Sequence, residues 1–362
     1  FDYDEARKHK KISLSRWSCV EGITISQDLP PRVAPNTPIE MPKFGFGAAP
    51  IGDLFIETSE AEVQSALATA WDLGVRYYDT APWYGHGLSE HRLGSLLRQH
   101  DRAAYYLSTK VGRVYKPVPR GQENRIQWLG GQNFEVTYDY SATGFAASYA
   151  QSQLRLGQSS VDALVIHDLD QGYHGKKFET YHKQLRESGL SYLYDLKSSG
   201  EISSIGMGIN SLVDFDFFAG HIDLDFFLVA MPYTLLDQNS LDTAMKKCIE
   251  RGIRVVLGSP FASGLLTNPK NPSVRYNYGP VPANIRARAI NLQECCAEFN
   301  VPLMAAALQF PLFHPAVCSV IPGARTADQI KGNIKNFNFD IPKKLWAEMK
   351  NRDLIVYDAP TE

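Results

Sequence analysis

Residues 75–85 read VRYYDTAPWYG: an apolar strand pattern that breaks into Asp79 and, five positions later, Tyr84. Two more segments have the same form. LSTK ends in Lys110, and LVIHD brings His167 to the end of an apolar run. An acid, a phenol, an ammonium and an imidazole suit proton handling at a carbonyl or alcohol oxygen. A charge at the end of an apolar strand is costly unless paired, and Asp79 with Lys110 is the natural pair. That pair would set a positive charge near Tyr84 and favour its phenolate. Such a phenol can pass a proton near neutral pH. His167 can donate to an oxygen on which negative charge grows, with a hydride handled by a cofactor. Each residue alone also has a plain structural reading, since ion pairs, loop tyrosines and strand-end histidines are common packing features. Asp168 and Asp170 leave a carboxylate pair for glycoside hydrolysis open, although HDLD also reads as an Asx turn.

These groups can meet only if successive strands deliver them to one rim. Eight strand candidates follow Pro42: FGFGAAP, VRYYDT, AAYYLSTK, VDALVIHD, ISSIGMGIN, DFFLVAMPY, IRVVLGSP and CSVIPG. Helical patterns such as TSEAEVQSALATAWDLG and SATGFAASYAQSQLRLG lie between them; the first takes Thr58 or Ser59 as its cap and Gly74 as its stop. Repeated strand–helix units imply a parallel sheet. The expected fold is therefore α/β, a (β/α)8 TIM barrel over residues 42–362, forming one catalytic domain. An open doubly wound sheet would carry a glycine fingerprint after its first strand, and GFGAAPIG has the wrong spacing. Residues 1–41 are expected to be an irregular, Pro-rich N-terminal extension with a short hairpin over 17–25. Residues 112–140 show no clear element, and 261–284 form a second long insertion. Both belong on the C-terminal face, the face that carries barrel active sites.

The chain has 362 residues, 44% of them apolar, with 37 Lys and Arg against 39 Asp and Glu. That balance gives no basic surface for nucleic acid or an anionic membrane, and no apolar run reaches spanning length. The opening FDYDEARKHKK carries no apolar signal segment. Five irregularly spaced cysteines argue against a disulfide framework and for a reducing, cytoplasmic setting. No zinc-type spacing is present, so no metal is expected. Composition leaves the oligomeric state open.

YYDTAPWYG, LSTKVG and ALVIHD resemble the Asp, Tyr, Lys and His segments of the aldo-keto reductases, and GLSEHRLGSLL resembles the helix after the tyrosine. FGFGAAPIG, GMGIN, YTLLDQ, GSPFASGLL and VIPGAR resemble the aldose, L-fucose and L-galactose dehydrogenase branch, which includes pyridoxal dehydrogenases. The likeness runs from Phe44 to Phe337. It implies Tyr84 as general acid or base, Lys110 as the group that lowers its pKa, Asp79 as the holder of Lys110, and His167 as the orienting group. It also implies an extended nicotinamide cofactor bound without a Rossmann fold. Asn210 matches the carboxamide-binding Asn, whereas Ile209, Ala230 or Met231, and Gly258 stand where relatives carry Ser, Gln and a stacking Tyr. Ser259, Phe261, Ser263, Gly264 and Leu265 would flank the pyrophosphate, and Gly323, Arg325, Thr326, Gln329 and Asn333 the adenosine. The stretch GARTADQ lacks the Lys and Arg that hold a 2′-phosphate in NADP-preferring relatives, which implies NAD; Arg325 keeps NADP open. Trp83, His86 and Trp128 would line the pocket of a small polar sugar or aldehyde. The implied reaction is oxidation of an aldose at C1. The alternatives are NADPH-dependent carbonyl reduction, pyridoxal oxidation and a noncatalytic binding barrel.

Overall fold

Alternation along the strands decides the architecture. Ala163 and Val165 join Tyr77, Tyr106, Phe226, Leu228, Val256 and Ile321 in one buried cluster. Their neighbours Leu164, Ile166, Tyr78, Leu107, Phe227, Val255 and Leu257 belong to a second, larger cluster. Successive strand residues point to opposite faces, so the first cluster fills the barrel and the second packs beneath the helices.

The computed structural model describes residues 24–25, 41–119, 121–122 and 124–362. The hairpin expected over 17–25 and nearly all of the expected extension 1–41 lie outside the described residues. Ten strands are described: β1 (Phe46–Gly47), β2 (Tyr77–Asp79), β3 (Tyr106–Val111), β4 (Arg113–Pro117), β5 (Phe134–Tyr138), β6 (Ala163–His167), β7 (Ser204–Ile209), β8 (Phe226–Val229), β9 (Arg254–Gly258) and β10 (Val317–Ile321). Eight of them pair in the order β1-β2-β3-β6-β7-β8-β9-β10, each pair parallel. Hydrogen bonds from Gly45 N to Val320 O (2.9 Å) and from Gly47 N to Pro322 O (3.1 Å) join the last strand to the first. The result is the (β/α)8 barrel read from the sequence.

The helices sit where the periodicity put them. Glu60–Asp72 opens on a capping box between Ser59 and Glu62, and Ala142–Leu156 runs from the Ser141 cap to Gly157 in the left-handed region. Leu303–Gln309 and Lys343–Asn351 add helices the sequence reading passed over. Among the described residues no single helix is long and apolar enough to cross a membrane.

One expectation is corrected. Residues 112–140 are not without regular structure: β4 and β5 form an antiparallel ribbon with Tyr115 opposite Val136. RVYKP and FEVTY are each too short, and too far apart in the chain, to announce their pairing.

The same parity aims Asp79, Lys110 and His167 inward at the C-terminal end. Gly208, Ala230 and Gly258 occupy the equivalent inward positions on the other side of the mouth. Half of the rim is chemical and half is nearly bare. Lower in the barrel, packing is tight: a Cβ on Gly206 would lie 2.5 Å from the Phe226 ring. Gly206→Val should therefore destabilise the fold by about 1–3 kcal/mol, read as a lowered urea midpoint. An unchanged midpoint would mean that this layer has unused room.

Candidate active site

The pair that the sequence suggested is formed. Lys110 Nζ lies 2.6 Å from Asp79 Oδ2 and donates to Thr80 O at 2.8 Å. The Ser108 hydroxyl donates to Asp79 Oδ1 at 2.7 Å. Asp79 and Lys110 are each 1% exposed, so the pair is wholly inside the protein. Burial holds the Asp79 carboxyl above its ordinary pKa, with Lys110 pulling the other way.

Tyr84 sits on the turn after β2. Its ring lies 4.8 Å from Lys110 Nζ, stands perpendicular to the His167 ring at 6.0 Å, and meets Trp128 at 5.6 Å. All four residues thus meet at one rim. The expected lowering of the phenol's pKa is not found. Burial raises it well above the ordinary value, and the negative charges of Asp79 and Asp168 add to that rise while Arg113 opposes it. Desolvation of the site outweighs the neighbouring cations, and the Lys110 charge is already committed to Asp79 and Thr80 O.

His167 is held neutral. Burial depresses its pKa most, followed by the cations of Arg113 and Lys110. Its Nε2 lies 3.3 Å from Asp168 Oδ2. Asp168 also accepts from Arg113 Nη2 at 2.9 Å and from Asn210 Nδ2 at 3.0 Å. Asp170 instead caps the turn that follows, accepting from Tyr173 N at 2.6 Å. The two carboxylates are engaged separately, which removes the basis for the glycoside-hydrolysis reading. Arg113 went unremarked in the sequence, although its place directly after LSTKVG puts it beside the rim.

The aromatic wall is built by the turn after β2 together with the first insertion. Trp83 stacks on His86 at 5.2 Å and meets Trp128 edge-on at 6.1 Å. Trp128 is clasped by a bridge to Leu54, and its indole Nε1 is buried with no hydrogen-bond partner among the described residues. His86, expected at the substrate, turns to the ribbon instead, with Nδ1 3.0 Å from Phe134 O and only 2% exposure. Tyr278 was not singled out. It lies on the second insertion, packed on Phe55 at 6.3 Å. It is 43% exposed, and its phenol lies within the fields of Tyr84, Asp168 and Lys110, which sets it at the same mouth.

The residues suggested for a nucleotide fall in two groups. Ser259, Ala262 and Ser263 have positive φ, as does Gly264, around a tight turn after β9. Phe261 is 8% exposed, and the Leu265 side chain is fully buried, so that position offers only its backbone. Gly323, Arg325, Gln329 and Asn333 form two hydrogen-bonded pairs: Arg325 N donates to Gln329 Oε1 at 2.9 Å, and Asn333 Nδ2 to Gly323 O at 3.4 Å. Arg325 Nη1 is buried with no hydrogen-bond partner among the described residues. Left-handed turns, an unpartnered guanidinium nitrogen and the bare half of the rim fit an extended dinucleotide. Among the described residues, no group of three or more His, Cys, Asp or Glu is arranged to hold a metal.

An eight-stranded parallel barrel with an acid, a phenol, an ammonium and an imidazole at its C-terminal mouth is the frame of a barrel oxidoreductase. The aldo/keto reductase family model matches residues 43–353, and the chain belongs to that family. It is similar to pyridoxal 4-dehydrogenase of Microbacterium luteolum, at 36% identity over 90% of this chain and 97% of the relative. It is equally similar to D-threo-aldose 1-dehydrogenase of a Pseudomonas species, at 36% identity over 88% and 95%. Among solved structures, an aldo-keto reductase from Bacillus halodurans in its holo form shares the fold, with a TM-score of 0.65, 23% identity and coverage of 88% and 94%. The chain is therefore an oxidoreductase that moves hydride between a nicotinamide cofactor and a carbonyl or alcohol.

The buried imidazoles set a pH limit on this fold. His167 is pushed well below its ordinary pKa, and burial also pushes His174 and His314 to about 4. Below pH 6.5 the unfolded chain binds protons that the folded chain refuses, so stability falls as pH drops from 6.5 towards 4. Urea midpoints should decline across that window; a flat profile there would contradict the burial assigned to these rings.

Proposed function

We propose that this chain is an NAD-dependent dehydrogenase that oxidises an aldose at C1 to the lactone. The carrying observation is the single rim that holds Tyr84, Lys110, Asp79 and His167 opposite the bare positions Gly208, Ala230 and Gly258. The similarity to an aldose 1-dehydrogenase supplies the substrate class. A bound nicotinamide supplies the hydride acceptor. Asn210, the turn at 259–264 and the paired residues at 323–333 would hold it.

Tyr84 is the proton carrier. Its phenolic oxygen takes the substrate's hydroxyl proton in oxidation and returns one to the carbonyl oxygen in reduction. Lys110, fixed by Asp79, keeps a cation under the phenol ring. His167 positions the same substrate oxygen from the opposite side. Trp83, backed by the buried Trp128, gives the substrate an apolar face and shields the site from water.

The choice of NAD rests on Arg325. Its Nη2 donates to Leu54 O at 3.4 Å, and it lies in the field of Asp53. Ala324 is buried beside it, and Gln329 is uncharged. A 2′-phosphate would meet this single half-buried guanidinium there, in place of the Lys and Arg of NADP-preferring relatives. Pyridoxal is the second reading, favoured by the Trp83–Trp128 wall, which suits a flat ring, and by the pyridoxal dehydrogenase relative. The four described cysteines are free, in keeping with a cytoplasmic setting. We take residues 42–362 as one catalytic domain and residues 1–41 as an extension that precedes it, of which Ile25 packs into the core and donates to Leu73 O at 2.9 Å.

The test is a dehydrogenase screen of L-galactose, L-fucose, D-arabinose and pyridoxal, each with NAD and NADP. Turnover of a sugar with NAD is expected; a marked NADP preference, or pyridoxal as the better substrate, would replace the corresponding part of the reading. Tyr84→Phe should cut kcat by at least about 10²-fold while cofactor binding, followed by tryptophan fluorescence, persists. Because burial holds the phenol protonated, it must lose a proton before it can accept one. Oxidation should therefore quicken as pH rises, and reduction should slow. Identical pH profiles in the two directions would exclude Tyr84 as the proton carrier.

A further inference from the structure

Asp168 follows His167 directly, and the chain turns sharply there. Its φ is +46°, a left-handed conformation that Asp tolerates better than most residues. Its backbone N–H donates to Gly208 O at 3.2 Å, which pins the turn to β7. The turn brings the carboxylate to donors from three separate strand ends. Oδ2 accepts from Arg113 Nη2 at 2.9 Å and lies 3.3 Å from His167 Nε2. Oδ1 accepts from Asn210 Nδ2 at 3.0 Å.

A carboxylate bound to a guanidinium can only accept hydrogen bonds. The 3.3 Å contact is long for a hydrogen bond; it favours a neutral imidazole that carries its hydrogen on Nε2, where that hydrogen stays shared with a substrate oxygen, leaving Nδ1 bare. In keeping with this, His167 Nδ1 is buried with no hydrogen-bond partner among the described residues. The same logic orients Asn210: its NH₂ must face Asp168, so its carbonyl oxygen points elsewhere. Arg113 cannot swing away. It is fully buried, with Trp83, Tyr173 and Tyr138 rings 5.0, 5.4 and 5.5 Å from its guanidinium carbon. Since Arg113 begins β4, this ion pair also ties the ribbon to the rim.

We propose that Asp168, anchored by Arg113, is a positioning residue that fixes the Nε2–H tautomer of His167 and the amide orientation of Asn210 together. Its effect on turnover rests on the reading of His167 as the group beside the reacting oxygen. Its effect on the tautomer does not, so the two can fail separately.

The experiment uses the full chain without ligand, labelled with ¹⁵N-histidine, with the His167 signals identified by their loss in His167→Asn. The wild type should show hydrogen on Nε2 and a bare Nδ1 at neutral pH. The double variant Asp168→Asn/Arg113→Gln removes both charges and leaves no lone buried ion. It should give mixed His167 tautomers and a kcat lowered on the order of 10- to 100-fold, with KM within about threefold of the parent. Arg113→Lys keeps a cation beside Asp168 and should retain the wild-type signature. Hydrogen on Nδ1 in the wild type overturns the proposal, as does a double variant with unchanged tautomer and kcat. If the double variant does not fold, the wild-type and Arg113→Lys spectra still decide the tautomer.

Discussion

An ion pair sealed inside the end of a barrel is the constraint on which the rest of this molecule depends. Neither Asp79 nor Lys110 could stay charged there alone, because an isolated ion in an apolar interior is strongly penalised. Each therefore determines what surrounds it. Ser108, two residues before Lys110 on the same inward face, saturates the second carboxylate oxygen, and Thr80 O takes another ammonium hydrogen. With those bonds made, Lys110 is held in one position beneath the Tyr84 ring. The phenol meets a fixed cation whose charge is already largely offset, and it stays protonated in the ligand-free protein.

The barrel could be read in the sequence because its signals are local. Inward and outward residues alternate along each strand, so Asp79, Lys110 and His167 were visible as polar breaks in apolar runs. Ala230 or Met231, and Gly258, stood out only against relatives that carry Gln and Tyr there, and Gly208 did not stand out. Signals that depend on distant partners could not be read this way. The ribbon of β4 and β5 needs pairing across a long connection. The direction of the Tyr84 shift depends on how many atoms surround it, which no single segment reveals. Asp168 looked like half of a carboxylate pair or an ordinary turn, and only the left-handed backbone shows that it faces Arg113, His167 and Asn210. His86 and Leu265 were placed in the right neighbourhood, but the fold turns one to the ribbon and the other to the core.

The rim divides the labour of the fold. Charged and aromatic groups from β2, β3 and β6 gather on one side, covered by the ribbon and the Trp128 segment. The opposite side, from β7, β8 and β9, carries almost no side-chain bulk, and its turns expose backbone in the left-handed region. The proposed proton chemistry and nucleotide site thus occupy different sectors of one circle, and Phe55 links the two insertions, donating to Gln127 O and packing on Tyr278. Changing the length of either insertion alters the roof without disturbing the strands beneath.

Mobile ions distinguish this interior pair from the surface. Salt attenuates attraction between solvated charges over roughly 10 Å at 0.1 M, so exposed pairs such as Lys183–Glu187 weaken as ionic strength climbs. Counter-ions have no route to Asp79 and Lys110, whose side chains are 2% and 1% accessible. The local potential beneath the phenol is accordingly insulated from the electrolyte around the protein, and remains much the same in dilute buffer and in brine.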